Sequence, residues 1–446
     1  MQPLNIIQAL LKQESLIDNL ALALKPGQII SGKVIKHFPN NNAEVLIGSN
    51  KMIARIETPL SVNQRYWFQV QPGEGQVHLK LLDTKGPQNR NDGMIGLGSR
   101  SNTKSLLKEL SLPVSKDHVS LIKFLLAKQL PITKESLQLS VEWLKDKTLT
   151  EGLKVIELAM SRQLPLTKNV LNALYTITED EAFSEMLSKL QTLLKNQPES
   201  HTANRIINLI DGLKLFKSVD DSVAVQNKIL EDSSITKHVI RNLISTIGFS
   251  YENEAIQLLN GWQSGDEKNS NALKPLLMRL LSEEPSSPIE EASERLLNKI
   301  TGFQVLSQES GPLQQLIFQI PLSFWNRNTD VTMQWSGKRT KDGKIDPDYC
   351  RILFYLTLEH LKETIVDLHV QNRVISISII NVREDLKNMT NQYVHELKKN
   401  LKKLDYHLTS VQFEKPAVKN HLEEGNNGAL PNLKPPIYYN GVDFRI

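Results

Sequence analysis

Leu4, Ile7, Leu10, Leu11, Leu16 and Leu20 recur mainly at three- and four-residue steps, a spacing that predicts one or two short amphipathic helices ended by Pro26-Gly27. At Gln28 the period changes. The runs QIISGKVIKHF, AEVLI, KMIARIE, RYWFQVQ and QVHLKLL are rich in β-branched and aromatic residues, and turn formers separate them at 39–42, 48–50, 59–63 and 72–75. Five such strands in so short a stretch predict a small barrel, OB-like or SH3-like in size, which with the leading helix makes a first domain over 1–84.

The next segment, KGPQNRNDGMIGLGSRSNT, has almost no apolar periodicity and is rich in Gly, Asn, Ser and Arg, so residues 85–103 read as a flexible linker. From Lys104 to about residue 300 the period is helical. Within this stretch one pattern returns three times: Leu112-Pro113-Val114-Ser115-Lys116, Leu130-Pro131-Ile132-Thr133-Lys134 and Leu164-Pro165-Leu166-Thr167-Lys168. Each Leu-Pro closes a helix, and each Ser or Thr hydroxyl is placed to accept an unpaired N–H at the start of the next. The copies are 18 and 34 residues apart, which allows one helix and then two between successive corners. Residues 104–300 thus read as a helical array.

After Gly302 strands return. Leu316–Pro321, Val331–Trp335 and Cys350–Leu356 are candidates, and Thr364–Val370 with Val374–Ile380 form a hairpin across Gln371-Asn372-Arg373. A helix then places Leu386, Met389, Tyr393, Leu397, Leu401 and Leu404 on one stripe, with Lys398, Lys399, Lys402 and Lys403 near the negative end of its dipole. A closing strand at Leu408–Phe413 completes an α+β domain over 301–415, one long helix on a mainly antiparallel sheet. The tail, 416–446, is rich in Asn, Gly and Pro but ends on YYNGVDFRI, an alternation suited to strand pairing or peptide docking. The fold class is therefore multidomain: β-barrel, all-α array, α+β domain.

Composition changes this picture little. The 446 residues carry 53 Lys and Arg against 49 Asp and Glu, a net charge of +4, which is far from the concentrated basic field of a dedicated nucleic-acid binder. Cys350 is the single cysteine, so an internal disulfide and a cysteine-rich zinc site are both excluded, and an intracellular, cytoplasmic location is expected. Lys12, Glu14 and Asp18 interrupt the N-terminal apolar run, which argues against a secretory signal, and no long uncharged apolar stretch predicts a transmembrane helix.

No catalytic constellation assembles. His360 and His369, and His395 and His407, lack the spacing of two ligands on one helical face. Gly93, Gly96 and Gly98 lack the Lys-Ser/Thr of a phosphate loop, and Asp342, Asp346 and Asp348 are too few for an EF-hand and fit a capped turn. Cys350 opens an apolar strand and reads as a buried, inert thiol. No metal, cofactor, small-molecule substrate or enzymatic activity is expected. In the barrel, Lys33, Lys36, Lys51 and Arg55 give modest positive charge, and Tyr66-Trp67-Phe68 is an aromatic cluster of which alternation sends at least one face to the core.

Residues 316–415 resemble the C-terminal domain of flagellar hook-length control proteins in the order strand, motif-bearing strand, second strand, long helix, closing strand. Leu356, Leu358, Leu361, Thr364 and Val366 occupy the motif, with Leu358 where the family usually has Pro and Lys362 where it usually has Gly. The first 300 residues also look like those of uncharacterised Gram-positive proteins that carry this domain, although they read as folded where the family usually has an exported segment. The resemblance implies a non-enzymatic interaction protein that contacts the cytoplasmic domain of a flagellar, type III export switch protein and influences which substrates are exported, with export of the chain itself by a flagellar-type apparatus as a corollary. Arg373, Arg383 and Tyr439 are the candidate partner-binding residues. The alternative is a nucleic-acid-associated protein that binds through its barrel.

Overall fold

The computed structural model describes residues 24–48, 50–73, 76–82, 100–179, 181–196, 200–213, 233–252, 271–307, 309–310, 313–324, 327–341, 343–383 and 385–416. The leading helix, most of the expected linker, Gly93 to Gly98 and the tail from 417 lie outside them. The described chain forms two compact units, one ending at Tyr175 and the other beginning at Thr176.

In the first unit, β1 (Ile29–Phe38), β2 (Asn42–Ile47), β3 (Asn50–Ile56), β4 (Arg65–Gln71) and β5 (Val77–Leu81) close into a barrel in the order β1-β2-β3-β5-β4. The β3–β5 contact is parallel and the others antiparallel, which is the five-stranded OB arrangement. Alternation sends Ile30, Val34, Ala43, Val45, Ile47, Ala54, Ile56, Phe68, Val70 and Leu79 inward. Gly32 is required where it stands, because a Cβ there would lie 2.6 Å from Val45 Cγ1.

Five helices follow: α1 (Arg100–Glu109), α2 (Lys116–Ala127), α3 (Lys134–Leu144), α4 (Leu149–Ser161) and α5 (Lys168–Thr178). Helix α1 begins inside the stretch expected to be linker. The three repeated corners have one geometry. Ser111, Gln129 and Gln163 take left-handed φ of 53°, 55° and 53°. The next residue in each corner, Leu112, Leu130 or Leu164, donates its N–H back to Leu107, Leu125 or Ala159 at 2.8, 2.9 and 2.8 Å, and buries its side chain. This is the Schellman closure. The expected caps follow it: Ser115 Oγ accepts the His118 N–H, Thr133 forms a capping box with Ser136, and Thr167 Oγ1 accepts the Val170 N–H. A left-handed non-glycine residue costs about 1–2 kcal/mol. Gln163→Gly is therefore expected to stabilise this unit by about 0.5–1 kcal/mol once glycine's greater unfolded-state entropy is deducted; an unchanged denaturation midpoint would show that no strain is held there.

The second corner also joins the barrel. Ile29 and Ile132 exchange backbone hydrogen bonds of 2.8 Å each, and both side chains are fully buried.

The remaining helices, α6 (Phe183–Lys195), α7 (His201–Leu213), α8 (Ser233–Ile247), α9 (Leu273–Ser282) and α10 (Ser287–Leu306), belong to the second unit. The array expected as one domain over 104–300 is thus divided inside α5. The cause is the choice of partner: α6 to α10 share a core with Phe318, Ile320 and Val331 of the C-terminal sheet. Two buried charges fix helix ends here. Lys299 Nζ donates to the carbonyls of Thr176, Glu179 and Glu181 at 3.5, 3.5 and 3.2 Å, and the Asp330 carboxylate accepts the Ser184 N–H at 3.3 Å. Each supplies an orphaned helix terminus with a partner from outside the helix.

The sheet has seven strands in the order β12-β11-β10-β9-β8-β7-β6, made of β6 (Glu309–Ser310), β7 (Leu313–Phe324), β8 (Arg327–Arg339), β9 (Ile345–Leu358), β10 (Lys362–Gln371), β11 (Val374–Ile380) and β12 (His407–Glu414). All pairings are antiparallel except β11–β12, which α11 (Leu386–Lys403) connects as a crossover. The hairpin falls where the sequence predicts it. Gln371 pairs with Val374, and Asn372 and Arg373, at φ of 49° and 63°, make the tight turn. The stripe on α11 is a correction. Of its six residues only Leu386 is buried; the helix meets the sheet core through Val394 and Leu401, a line turned partly round from the stripe.

Candidate nucleic-acid interface

Register places the barrel's four named cations together. On β1, β2 and β3 the outward positions align as Lys33–Leu46–Lys51, Lys36–Glu44–Ile53 and Phe38–Asn42–Arg55. The inward neighbours Val34, Val45 and Ala54 fill the core, so alternation leaves the named side chains on the outer surface. Lys36, Lys51 and Arg55 are exposed and Lys33 is half-buried. Among the described residues none of the four forms an ion pair, and Glu44 is the one carboxylate in this lattice. Lys36 Nζ lies 5.3 Å from the centroid of the half-exposed Phe38 ring, and Ile53 is 56% exposed beside them.

The aromatic cluster named from sequence is not part of this surface. Phe68 is fully buried, Tyr66 tilts against it at a centroid distance of 6.2 Å, and the Tyr66 hydroxyl accepts the Ser61 N–H at 3.0 Å. Trp67 points the other way yet is also buried, and so offers no stacking platform. Phe38 takes that place. Its signal in the sequence was the alternation Lys36-His37-Phe38 at a strand end, where a phenylalanine after a lysine two residues earlier falls on the same face.

The C-terminal candidates are neither together nor free. Arg373 sits at the β10–β11 turn, with Nε 3.1 Å from Asp348, Nη1 2.9 Å from Asp405 and its guanidinium 5.6 Å from the Tyr406 ring centroid. Arg383 lies at the other end of β11, where it holds Asp385 in a two-pronged, exposed pair at 2.9 and 2.6 Å. That pair holds the Asp385 carboxyl below its ordinary range. Tyr439 lies outside the described residues.

The carboxylates expected in a capped turn behave so: Asp346 Oδ1 accepts the Asp348 N–H at 2.9 Å, and Asp348 is occupied by Arg373. Cys350 is buried, and burial pushes its thiol pKa up. Among the described residues no three His, Cys, Asp or Glu side chains are grouped to hold a metal, and no helix is long and apolar enough to cross a membrane.

Sequence reading also missed a buried polar cluster on the sheet face opposite Cys350, Ile352 and Phe354. Arg351 binds Asp367 through Nε and Nη2 at 2.9 and 2.7 Å, His369 Nε2 is 3.2 Å from the same carboxylate, and the Tyr355 hydroxyl donates to Gln334 at 3.3 Å. Burial alone would raise the Asp367 pKa, but hydrogen bonds from His369 and Arg351 and the Arg351 charge outweigh it and hold it low. Burial drives the Tyr355 hydroxyl upward, so it stays a protonated donor.

A closed five-stranded barrel with a basic, partly aromatic β1–β3 face defines the class: an oligonucleotide-binding type of fold. In agreement, a family model described as the TP0910 S1-like domain matches residues 6–80. The chain is also similar to a protein of Bacillus subtilis (strain 168) described as "Uncharacterized protein YlqG", at 29% identity over 175 residues, which cover 38% of this chain and 30% of that protein. The match thus spans less than a third of the relative's length. No solved structure matches the chain.

Proposed function

We propose that the barrel binds single-stranded nucleic acid across its β1–β3 face. The observation that carries this reading is the convergence of Lys33, Lys36, Lys51 and Arg55, far apart in sequence, on one surface with Phe38 among them. Lysine and arginine neutralise phosphates and release counterions, while an exposed ring stacks on a base without regard to sequence. The S1-like match over residues 6–80 supports the same reading. Titration of the full chain with fluorescent single-stranded RNA and DNA should give an affinity that falls with salt at a log–log slope of about −2 to −3, since each neutralised phosphate contributes roughly −0.7 on a single strand. Salt-independent binding, or none at low salt, sinks the proposal.

A second reading concerns the C-terminal domain and rests on the order hairpin, long helix, closing strand, formed here by β10, β11, α11 and β12. It is that the domain acts as a protein-binding module with no chemical step of its own, contacting the cytoplasmic domain of a type III export switch protein. Calorimetry of the full chain with such a purified domain tests it, and the absence of saturable heat would refute it.

A further inference from the structure

Helix α11 carries more apolar surface than the sheet covers. Leu386, Val394 and Leu401 make the contact, while Met389, Tyr393, Leu397 and Leu404 remain 50%, 61%, 39% and 51% exposed. At about 100° per residue these four fall within a quarter-turn of the helix surface, so they form one continuous stripe beside the sheet contact. The helix has five lysines against one glutamate. Lys399 and Lys403 lie along the solvent side of the stripe, and all five lysines are exposed.

We propose that this flank of α11 is a docking surface for an acidic amphipathic segment of a partner protein, whose apolar side chains cover Met389, Tyr393, Leu397 and Leu404 while its carboxylates meet Lys399 and Lys403. Charge complementarity selects this occupant. A second copy of the chain would bring a second set of lysines against the first, and like charges at close range repel. An anionic bilayer fits poorly because the outward pole of the helix is formed by His395, Lys399 and Lys402, with the apolar stripe turned sideways; a surface-lying helix presents its apolar face outward. A helical partner laid along the stripe would place anchors at three- and four-residue steps, matching the spacing of the stripe itself.

The test is fluorescence anisotropy of the full chain with a labelled synthetic peptide of about four turns, leucines at three- and four-residue steps and glutamates between them, beside a scrambled peptide of the same composition. The ordered peptide should bind, more weakly at high salt, and the scrambled one at least tenfold less well. Tyr393→Ser with Leu397→Ser, and separately Lys399→Glu with Lys403→Glu, should each reduce affinity at least tenfold. These side chains are exposed, so thermal melts should be unchanged, and oligonucleotide binding by the barrel supplies an independent check of the folded chain. Equal binding of both peptides, or none, overturns the proposal. It falls equally if peptide binds only after residues 417–446 are removed, which makes the tail the occupant. Self-association, or binding to phosphatidylglycerol vesicles, that is lost in the Tyr393 and Leu397 variant while the peptide is ignored would replace the proposed partner with a second copy or a bilayer.

Discussion

Asp367→Ala is expected to destabilise the C-terminal domain by about 3–5 kcal/mol, the usual cost of stranding a buried charge whose partner has been deleted. Arg351 and Asp367 are 5% and 6% exposed, so neither can turn to water when the other is lost. Asp367→Asn should recover only part of the loss, since an amide can accept one hydrogen bond from the guanidinium but carries no charge. Replacing both residues by leucine should cost much less than either single change, because a buried pair is costly mainly when it is broken. The same pair gives a pH signature. The folded-state pKa of Asp367 lies below its unfolded value of about 3.9, so its contribution is fully present above that value and is lost as pH falls through the folded one. Urea midpoints of the wild type should drop through this acid window more steeply than those of the double-leucine variant. Equal slopes would mean that the pair does not bind protons differently in the folded and unfolded states.

The second large effect is expected at the barrel. Lys36→Glu with Arg55→Glu should lower affinity for a single-stranded oligonucleotide by about a hundredfold near 0.1 M salt, and should flatten the salt slope by roughly 1.4, two phosphates' worth. Both side chains are exposed and unpaired among the described residues, so the melting curve should not move. Phe38→Ala separates stacking from charge: it should weaken binding by about 1–3 kcal/mol while leaving the salt slope as it was. If the double charge reversal leaves affinity intact, the β1–β3 face is not the interface, whatever else the chain binds.

The strands, the corners and the hairpin were legible because each is written locally. A Leu-Pro followed by a hydroxyl residue sets a helix end and the next cap within five positions, and Asn372-Arg373 between two alternating runs allows little but a tight turn. Periodicity on α11 was equally plain and still misled. It shows where apolar residues fall around a helix, not which part of that arc a neighbour covers, and here the sheet takes Val394 and Leu401 and leaves Tyr393 in solvent. The division of the helical array was hidden for a related reason: helices α4 and α6 have similar patterns, yet they belong to different units. At the barrel the four cations were found by type, but their convergence depends on strand register, which pairs Lys36 with Glu44 and Asn42 with Arg55. Arg373 looked available as an exposed turn residue, and its carboxylate partners come from residues 348 and 405, at positions no local pattern discloses.

The repeated corner has one position that the geometry leaves unconstrained. In the three copies it is occupied by Val114, which is 46% exposed, by Ile132, which is fully buried against β1, and by half-buried Leu166. Leucine, proline, hydroxyl and lysine conserve the bend, while the residue between proline and hydroxyl points sideways from it. A duplicated corner can therefore acquire a lateral attachment without altering its own folding, as the second copy has done by lending Ile132 to a barrel strand. Mutational tolerance in this protein should follow such borrowed contacts more closely than it follows the repeat: free at 114, forbidding at 132.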